Sequence, residues 1–399
     1  MKKLFSTIIC CLICSTAFMQ VKPEWQDETI PFVGKEYPRT AFMTYSDVNK
    51  ARSNDFNTST DYKSLNGKWK FNWVSSYKKR PVNFYKTNFD DSTWEEIDVP
   101  ANWEVNGYGN ALYTNHPYEF CPRNPQPPLL PEENPVGSYR KYIEIPEQWN
   151  GKEIFLHIGA VKSGCYLYVN GTKVGYSEDS KDAVEYNITR YLKLGRNLIA
   201  LEVYRWSTGS YLECQDFWRI SGIERDVYLF AQLPLHLRDF SIRQDLDSTY
   251  KNGLFGLDLF MENTNPRQPG QVTVFYQLEN TSGTRVAEGT QTIKIDSATT
   301  VHFEAKIPQV APWTAETPNL YQLFIRIEQP GKTTEVIPFR VGFRKLEIRG
   351  NQFLVNGRAV LIKGVNYHEH DEHTGHVLSE AHMRKDFENM KRHNINAIR

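Results

Sequence analysis

Polar and apolar residues alternate strictly along Lys68-Trp69-Lys70-Phe71-Asn72-Trp73, with three aromatics on one face. A period of two places such a stretch in a β-strand with one face toward a core and the other toward water. Further alternating or apolar runs lie at residues 97–99, 139–145, 153–158, 165–169, 173–176, 197–204 and 225–230. Between two of them, Asn170-Gly171 is a strong signal for a tight hairpin. Many short strands, frequent turn chemistry and no long helical period predict a β-sandwich of jelly-roll type over residues 21–233. Residues 22–61 lack periodicity and are expected to wrap over this unit. Six prolines between positions 122 and 135 exclude a central strand there and predict a long, stiff surface loop.

A second set of strand-like runs, at 257–261, 272–276, 292–295, 301–307 and 320–327, predicts an immunoglobulin-like β-sandwich over residues 234–343. The sequence between these runs is polar and chemically plain, which reads as a spacer. A hairpin closed by Val355-Asn356-Gly357 follows, and then the period changes. Residues 359–365 form an apolar, β-branched run, as a strand buried on both faces would. A loop dense in titratable groups, residues 366–376, leads to Ser379, a helix cap. Beyond it Met383, Phe387 and Met390 fall on one helical face, and a further strand begins at Ile395. Strand, loop, helix and strand open a βαβ series, and one and a half such units cannot close a parallel barrel. The expectation is a mainly β chain whose residues 344–399 are the first βα unit of an incomplete (β/α)8 TIM barrel.

Charge changes the picture only by exclusion. Lys plus Arg and Asp plus Glu number 47 each in 399 residues, so no net field recruits nucleic acid or an anionic membrane, and neither is expected as a partner. Aromatics make up 13%, which suits packed sandwiches first and carbohydrate surfaces second. At the start of the chain, Met1-Lys2-Lys3 precedes an apolar stretch too short to span a bilayer comfortably. Residues 1–20 therefore read as a secretory signal, with a periplasmic or secreted destination. Cys10, Cys11 and Cys14 lie inside this segment, and none follows a small residue, which makes a lipid anchor the lesser reading. Cys121, Cys165 and Cys214 are odd in number and widely spaced, which predicts buried free thiols rather than a disulfide framework or zinc.

Three stretches carry candidate chemistry: Asn102-Trp103 through Tyr113-Thr114-Asn115-His116-Pro117-Tyr118, the irregular polar and aromatic segment from Arg205 to Arg219, and the histidine-rich loop. Aromatic faces interleaved with amides and carboxylates suit a sugar, whose C–H faces are apolar and whose hydroxyls need fixed partners. Each has a plainer reading. Asp216 can pair internally with Arg219 or Arg225, and Asn115 can satisfy backbone in a turn. The spacing His368-x-His370-x-x-His373-x-x-His376 invites a metal, but on a loop without cysteine it fits no established ligand pattern. His368 follows a barrel-type strand, and loops after such strands are where these barrels build active sites.

At these residues the chain resembles the large bacterial β-galactosidases of glycoside hydrolase family 2. The resemblance is carried by Ser64-Leu65-Asn66-Gly67-Lys68-Trp69, Val99-Pro100-Ala101-Asn102-Trp103, Tyr113-Thr114-Asn115, Glu133-Asn134-Pro135-Val136-Gly137, Val174-Gly175-Tyr176-Ser177-Glu178-Asp179-Ser180, the segment from Arg205 to Val227, Val341-Gly342-Phe343-Arg344, Lys363-Gly364-Val365-Asn366-Tyr367-His368-Glu369-His370 and Asn394-Ile395-Asn396-Ala397-Ile398-Arg399. It implies a sugar-binding jelly roll, an immunoglobulin-like domain and the start of a TIM barrel. It also implies retaining hydrolysis of terminal, non-reducing β-D-galactosyl residues in a β-galactoside substrate. Asn115 and Asp216 match residues that hold galactosyl hydroxyls, Asp216 also matches a sodium ligand, and His368 matches a histidine that contacts substrate. Tyr367 departs from the family's arginine. The two catalytic glutamates and the magnesium ligands are implied beyond Arg399, so no catalytic residue is assigned within the chain. Glu369, Glu372 and Glu380 read as loop and surface charges, and the chain alone is expected to be inactive. A homo-oligomer is implied for the full-length protein. The alternatives are a β-glucuronidase or β-mannosidase of the same family, or a non-catalytic carbohydrate-binding β-sandwich protein.

Overall fold

The computed structural model describes residues 22–213, 215–268 and 270–399; the expected signal segment and Cys214 lie outside the described residues. The first unit is a jelly-roll sandwich. Its larger sheet runs from edge to edge through Phe32–Val33, Thr172–Ser177, Gly164–Val169, Arg196–Tyr204, Val136–Glu144, Gly67–Val74 and Glu95–Val99, every neighbour antiparallel. The facing sheet is Val184–Asn187, Glu153–Ile158, Val227–Gln232 and Tyr62–Ser64. The alternation in Gly67–Val74 does what its period dictates: Trp69 and Phe71 enter the core between the sheets, and Lys68 and Asp98 pair outside at 2.8 Å. Two indole N–H groups inside this core are tied off. The Trp69 indole donates to the Leu65 carbonyl at 2.8 Å, and the Trp103 indole donates to the Tyr139 hydroxyl. Asn170 and Gly171 both take positive φ, 51° and 88°, which a two-residue hairpin needs to match the twist of its strands.

The second unit packs a three-stranded sheet, Leu235–Leu246, Gly253–Asn263 and Ala298–Ile307, against a four-stranded one, Arg285–Ile295, Gly270–Glu279, Tyr321–Glu328 and Glu335–Val341. This is the immunoglobulin-like sandwich. Residues 22–61 depart from expectation, for they lie against both units. Tyr45 exchanges backbone hydrogen bonds with Val336 of the second sandwich, at 2.9 and 2.8 Å. Met43 and Tyr45 pack with Phe155, Tyr228 and Phe230 on one side and with Phe324 and Val336 on the other. Arg39 pairs with Glu185 at 2.8 Å while its guanidinium covers Phe42 and Phe230. The period was absent because these side chains answer to two partners rather than to one sheet face.

Beyond the second sandwich, Leu346–Arg349, Gln352–Val355 and Arg358–Ala359 form a small antiparallel sheet. The run at 359–365 was expected as one strand buried on both faces. Instead Ala359 ends the small antiparallel sheet, Gly364–Val365 pairs in parallel with Ala397–Ile398, and Leu361 and Ile362 between them are exposed. A paired strand covers an edge of the run and not a face, and among the described residues no element packs over Leu361 and Ile362. The helix Glu380–Arg392 starts where its cap predicts, the Ser379 hydroxyl accepting the His382 N–H at 3.2 Å, yet none of its residues is buried. Cys121 and Cys165 are free thiols; Cys165 is buried as expected, whereas Cys121 is partly exposed.

Candidate functional site

Two short strands, Leu112–Thr114 and Phe217–Arg219, pair outside the main sheets with Thr114 opposite Phe217. The register therefore sets Asn115 and Asp216, the next residue on each strand, across from one another past the end of the ladder. Both are exposed. Asp216 Oδ1 accepts the Tyr113 hydroxyl at 3.2 Å, a bond that raises the Tyr113 pKa and keeps its proton in place. The Tyr113 ring meets Trp218 edge to face at 5.6 Å. The internal ion pair considered for Asp216 does not form: Arg219 lies 3.7 Å from Glu119, and Arg225 pairs with Glu369 at 3.1 Å.

The histidine-rich loop reaches this ladder through rings. His368 stacks on Phe217 with centroids 4.3 Å apart and 20° between planes; His376 stacks on the same ring at 4.3 Å and 5°. Two rings cannot both lie so close and so parallel on one face, so Phe217 is held between them. His370 lies parallel to Trp218 at 5.8 Å. Asn115 and Asp216 thus lie across from one another, and His368 reaches the same ladder through Phe217, the residue after Asp216, whereas His373 sits 3.4 Å from Glu372 on the surface. Glu380 pairs with Arg384 one helical turn on, at 2.7 Å.

What holds the loop is buried. Asp371 and Gly375 exchange backbone hydrogen bonds at 2.8 and 2.9 Å, tightening the turn. The His376 N–H donates to Asn102 Oδ1 at 2.8 Å, and its ring Nδ1 lies 2.7 Å from Glu224 Oε1. Glu224 also accepts from Asn102 Nδ2 at 3.2 Å and from Lys181. Burial pushes the Glu224 carboxyl up, but the His376 hydrogen bond and the Lys181 charge outweigh it and hold the group at about 2. Burial lowers the His376 pKa against the opposing pull of Glu224. The pair is then a neutral imidazole donating from Nδ1 to a carboxylate whose countercharge is Lys181. Sequence reasoning passed over Glu224; the available signal was an acid closing the otherwise uncharged run Ile220-Ser221-Gly222-Ile223.

Gly375 is where this docking is tightest. Its φ is +69°, and a Cβ there would fall 2.6 Å from Asn102 Oδ1 and 2.7 Å from the Ile220 side chain. Gly375→Ala is expected to cost about 2 kcal/mol of stability through left-handed strain and displacement of Asn102. Urea unfolding of the variant checks this, and an unchanged midpoint would refute it.

Comparison with known proteins finds one family along the chain. "Glycosyl hydrolases family 2, sugar binding domain" matches residues 62–234, "Glycosyl hydrolases family 2" residues 235–344, and "Glycosyl hydrolases family 2, TIM barrel domain" residues 346–399. A protein named beta-galactosidase from Priestia megaterium is 36% identical over 384 residues, which cover 94% of this chain and 37% of its own length. Another of that name, from Halalkalibacterium halodurans, is 39% identical over 339 residues, 84% of this chain and 33% of its own. The chain spans about a third of the length of these relatives. Among solved structures, the Bacteroides uniformis beta-glucuronidase shares the fold with a TM-score of 0.71 at 23% identity, over 84% of this chain and 39% of that one. With three descriptions of one family in chain order and such relatives along most of its length, the chain belongs to glycosyl hydrolases family 2.

Proposed function

We propose that the chain supplies the sugar-binding portion of a retaining β-galactosidase, with Asn115, Asp216 and His368 as its galactosyl contacts. The observation that supports this reading is an exposed amide and an exposed carboxylate set across from one another at the end of one short ladder, with a ring-held histidine against the residue that follows the carboxylate. The carboxylate accepts sugar hydroxyls strongly, the amide can both donate and accept, and neighbouring Trp218 and Tyr113 offer apolar faces. The names of the relatives at 36% and 39% identity support galactoside as the substrate class. A retaining mechanism needs an acid and a carboxylate nucleophile about 5 Å apart, and neither is assigned to a residue of this chain.

Asp216 suits a sodium ion as one hard oxygen ligand, because among the described residues only Tyr113 occupies its carboxylate. Among the described residues no group of three His, Cys, Asp or Glu side chains could hold a metal ion, so Asp216 would be one ligand of several. Magnesium belongs to the proposal without a ligand in this chain. A periplasmic or secreted location rests on the basic and then apolar start of the sequence.

Assays of the enzyme carrying this chain on nitrophenyl β-D-galactoside, β-glucuronide and β-mannoside test the reading. The galactoside is expected to give the highest kcat/KM, and a preference for either of the others overturns it. Asp216→Asn is expected to lower kcat/KM for the galactoside about ten- to a hundredfold, as loss of one charged contact to a hydroxyl does.

A further inference from the structure

Asp216 and His368 lie far apart in the sequence, on a sandwich ladder and on the loop that follows Gly364–Val365. Phe217 joins them. It follows Asp216 in the chain, and its ring takes His368 on one face and His376 on the other, each at 4.3 Å. His376 is itself fixed by its backbone bond to Asn102 at 2.8 Å and its ring bond to Glu224 at 2.7 Å. His368 is exposed and has no comparable tether of its own among the described residues; its anchor is the face of Phe217.

We propose that Phe217 and His376 are positioning residues: a three-ring stack, footed on Glu224 and Asn102, sets the separation and tilt of His368 against Asp216 and Asn115. This deepens the sugar-site reading and rests on it. A flat ring is required, because parallel faces fix orientation as well as distance. Leucine would fill much of the volume and leave the histidine free to turn.

Two measurements test the proposal. In the chain with 13C-labelled histidine rings, the Phe217 ring current should shift the His368 and His376 Hε1 signals upfield, assigned through His368→Gln and His376→Gln. Phe217→Leu should move both downfield together, and Phe217→Tyr should leave both near their original positions. If only one signal responds, or neither, there is no stack.

In the active enzyme, Phe217→Leu is expected to lower kcat/KM for the galactoside about ten- to a hundredfold, mostly in kcat, because misorientation by an ångström has effects of that size. Phe217→Tyr should restore it to within about threefold, with unfolding midpoints close to the parent in both variants. Unchanged kcat/KM in Phe217→Leu would overturn the positioning role even with the stack intact. Absence of glycosidase activity in the unaltered enzyme would overturn the sugar-site reading and the positioning role with it, while the spectra would still decide the stack.

Discussion

Replacing Glu224 by alanine is expected to lower the free energy of unfolding by roughly 2–6 kcal/mol, about 1–3 for each of two buried donors left unpaired. Its side chain is 2% exposed and serves three donors, His376 Nδ1, Asn102 Nδ2 and Lys181. Lys181 is half exposed and finds water when its partner goes, so most of the cost falls on the imidazole and the amide, which remain buried with unpaired hydrogens. The loss should be largest where the carboxyl is ionised in both folded and unfolded chains. Its folded value, about 2, lies below the ordinary 4.5, so the stabilisation is complete above pH 4.5 and fades as pH falls toward 2. Denaturant titrations at pH 7 and pH 3 would show the difference between parent and variant shrinking at the lower pH. Hydrogen exchange at Gly375 and His376 should quicken in the variant. Equal stability of the two proteins at pH 7 would remove the buried pair as the loop's anchor.

A change of opposite sign with pH is expected at Glu335. This residue sits on the seam between the sandwiches, 5% exposed, and neither carboxylate oxygen has a hydrogen-bond partner of good geometry. It lines a polar cavity of about 500 Å³ together with Asp61, Lys152 and Tyr45. Burial first and the Asp61 charge next raise its pKa to about 7, while Lys152 and the Leu233 backbone N–H work the other way. An acid whose folded value lies above its unfolded 4.5 stabilises the fold fully below pH 4.5, and that contribution is lost as pH rises through 7. At about 1.4 kcal/mol per pKa unit the swing is about 3 kcal/mol. Glu335→Gln, which cannot ionise, should therefore gain about 3 kcal/mol relative to the parent between pH 4.5 and pH 8. Thermal or urea unfolding of both proteins across that range gives the comparison, and a difference that does not vary with pH would refute it.

Local rules reached a good part of the fold. Trp69 and Phe71 were legible as inward residues because a half-buried strand writes its period into the sequence, and Asn170-Gly171 because few other pairs tolerate two positive φ angles in succession. Ser379 announced its helix for the same local reason. The exposure of Leu361 and Ile362 was not legible, since an apolar run states what it can bury and not what is present to bury it. Around the site, the roles of Asn115, Asp216 and His368 came from family likeness; composition and spacing left Asn115 and Asp216 with plainer roles, and only the place of His368 after a barrel-type strand pointed to function. The stack on Phe217 and the Glu224 to His376 bond were hidden for a different reason. They are tertiary contacts between segments about 150 positions apart, and no local period reports such a meeting.

The segment that crosses from one sandwich to the other carries a further meaning. Because Met43 and Tyr45 complete an aromatic cluster drawn from both units, neither sandwich owns a finished hydrophobic wall at their junction. Loosening residues 22–61 would bare Phe155, Tyr228 and Phe324 together. The two bodies are thus yoked by a stretch with little regular secondary structure, and they are expected to melt as a single cooperative object.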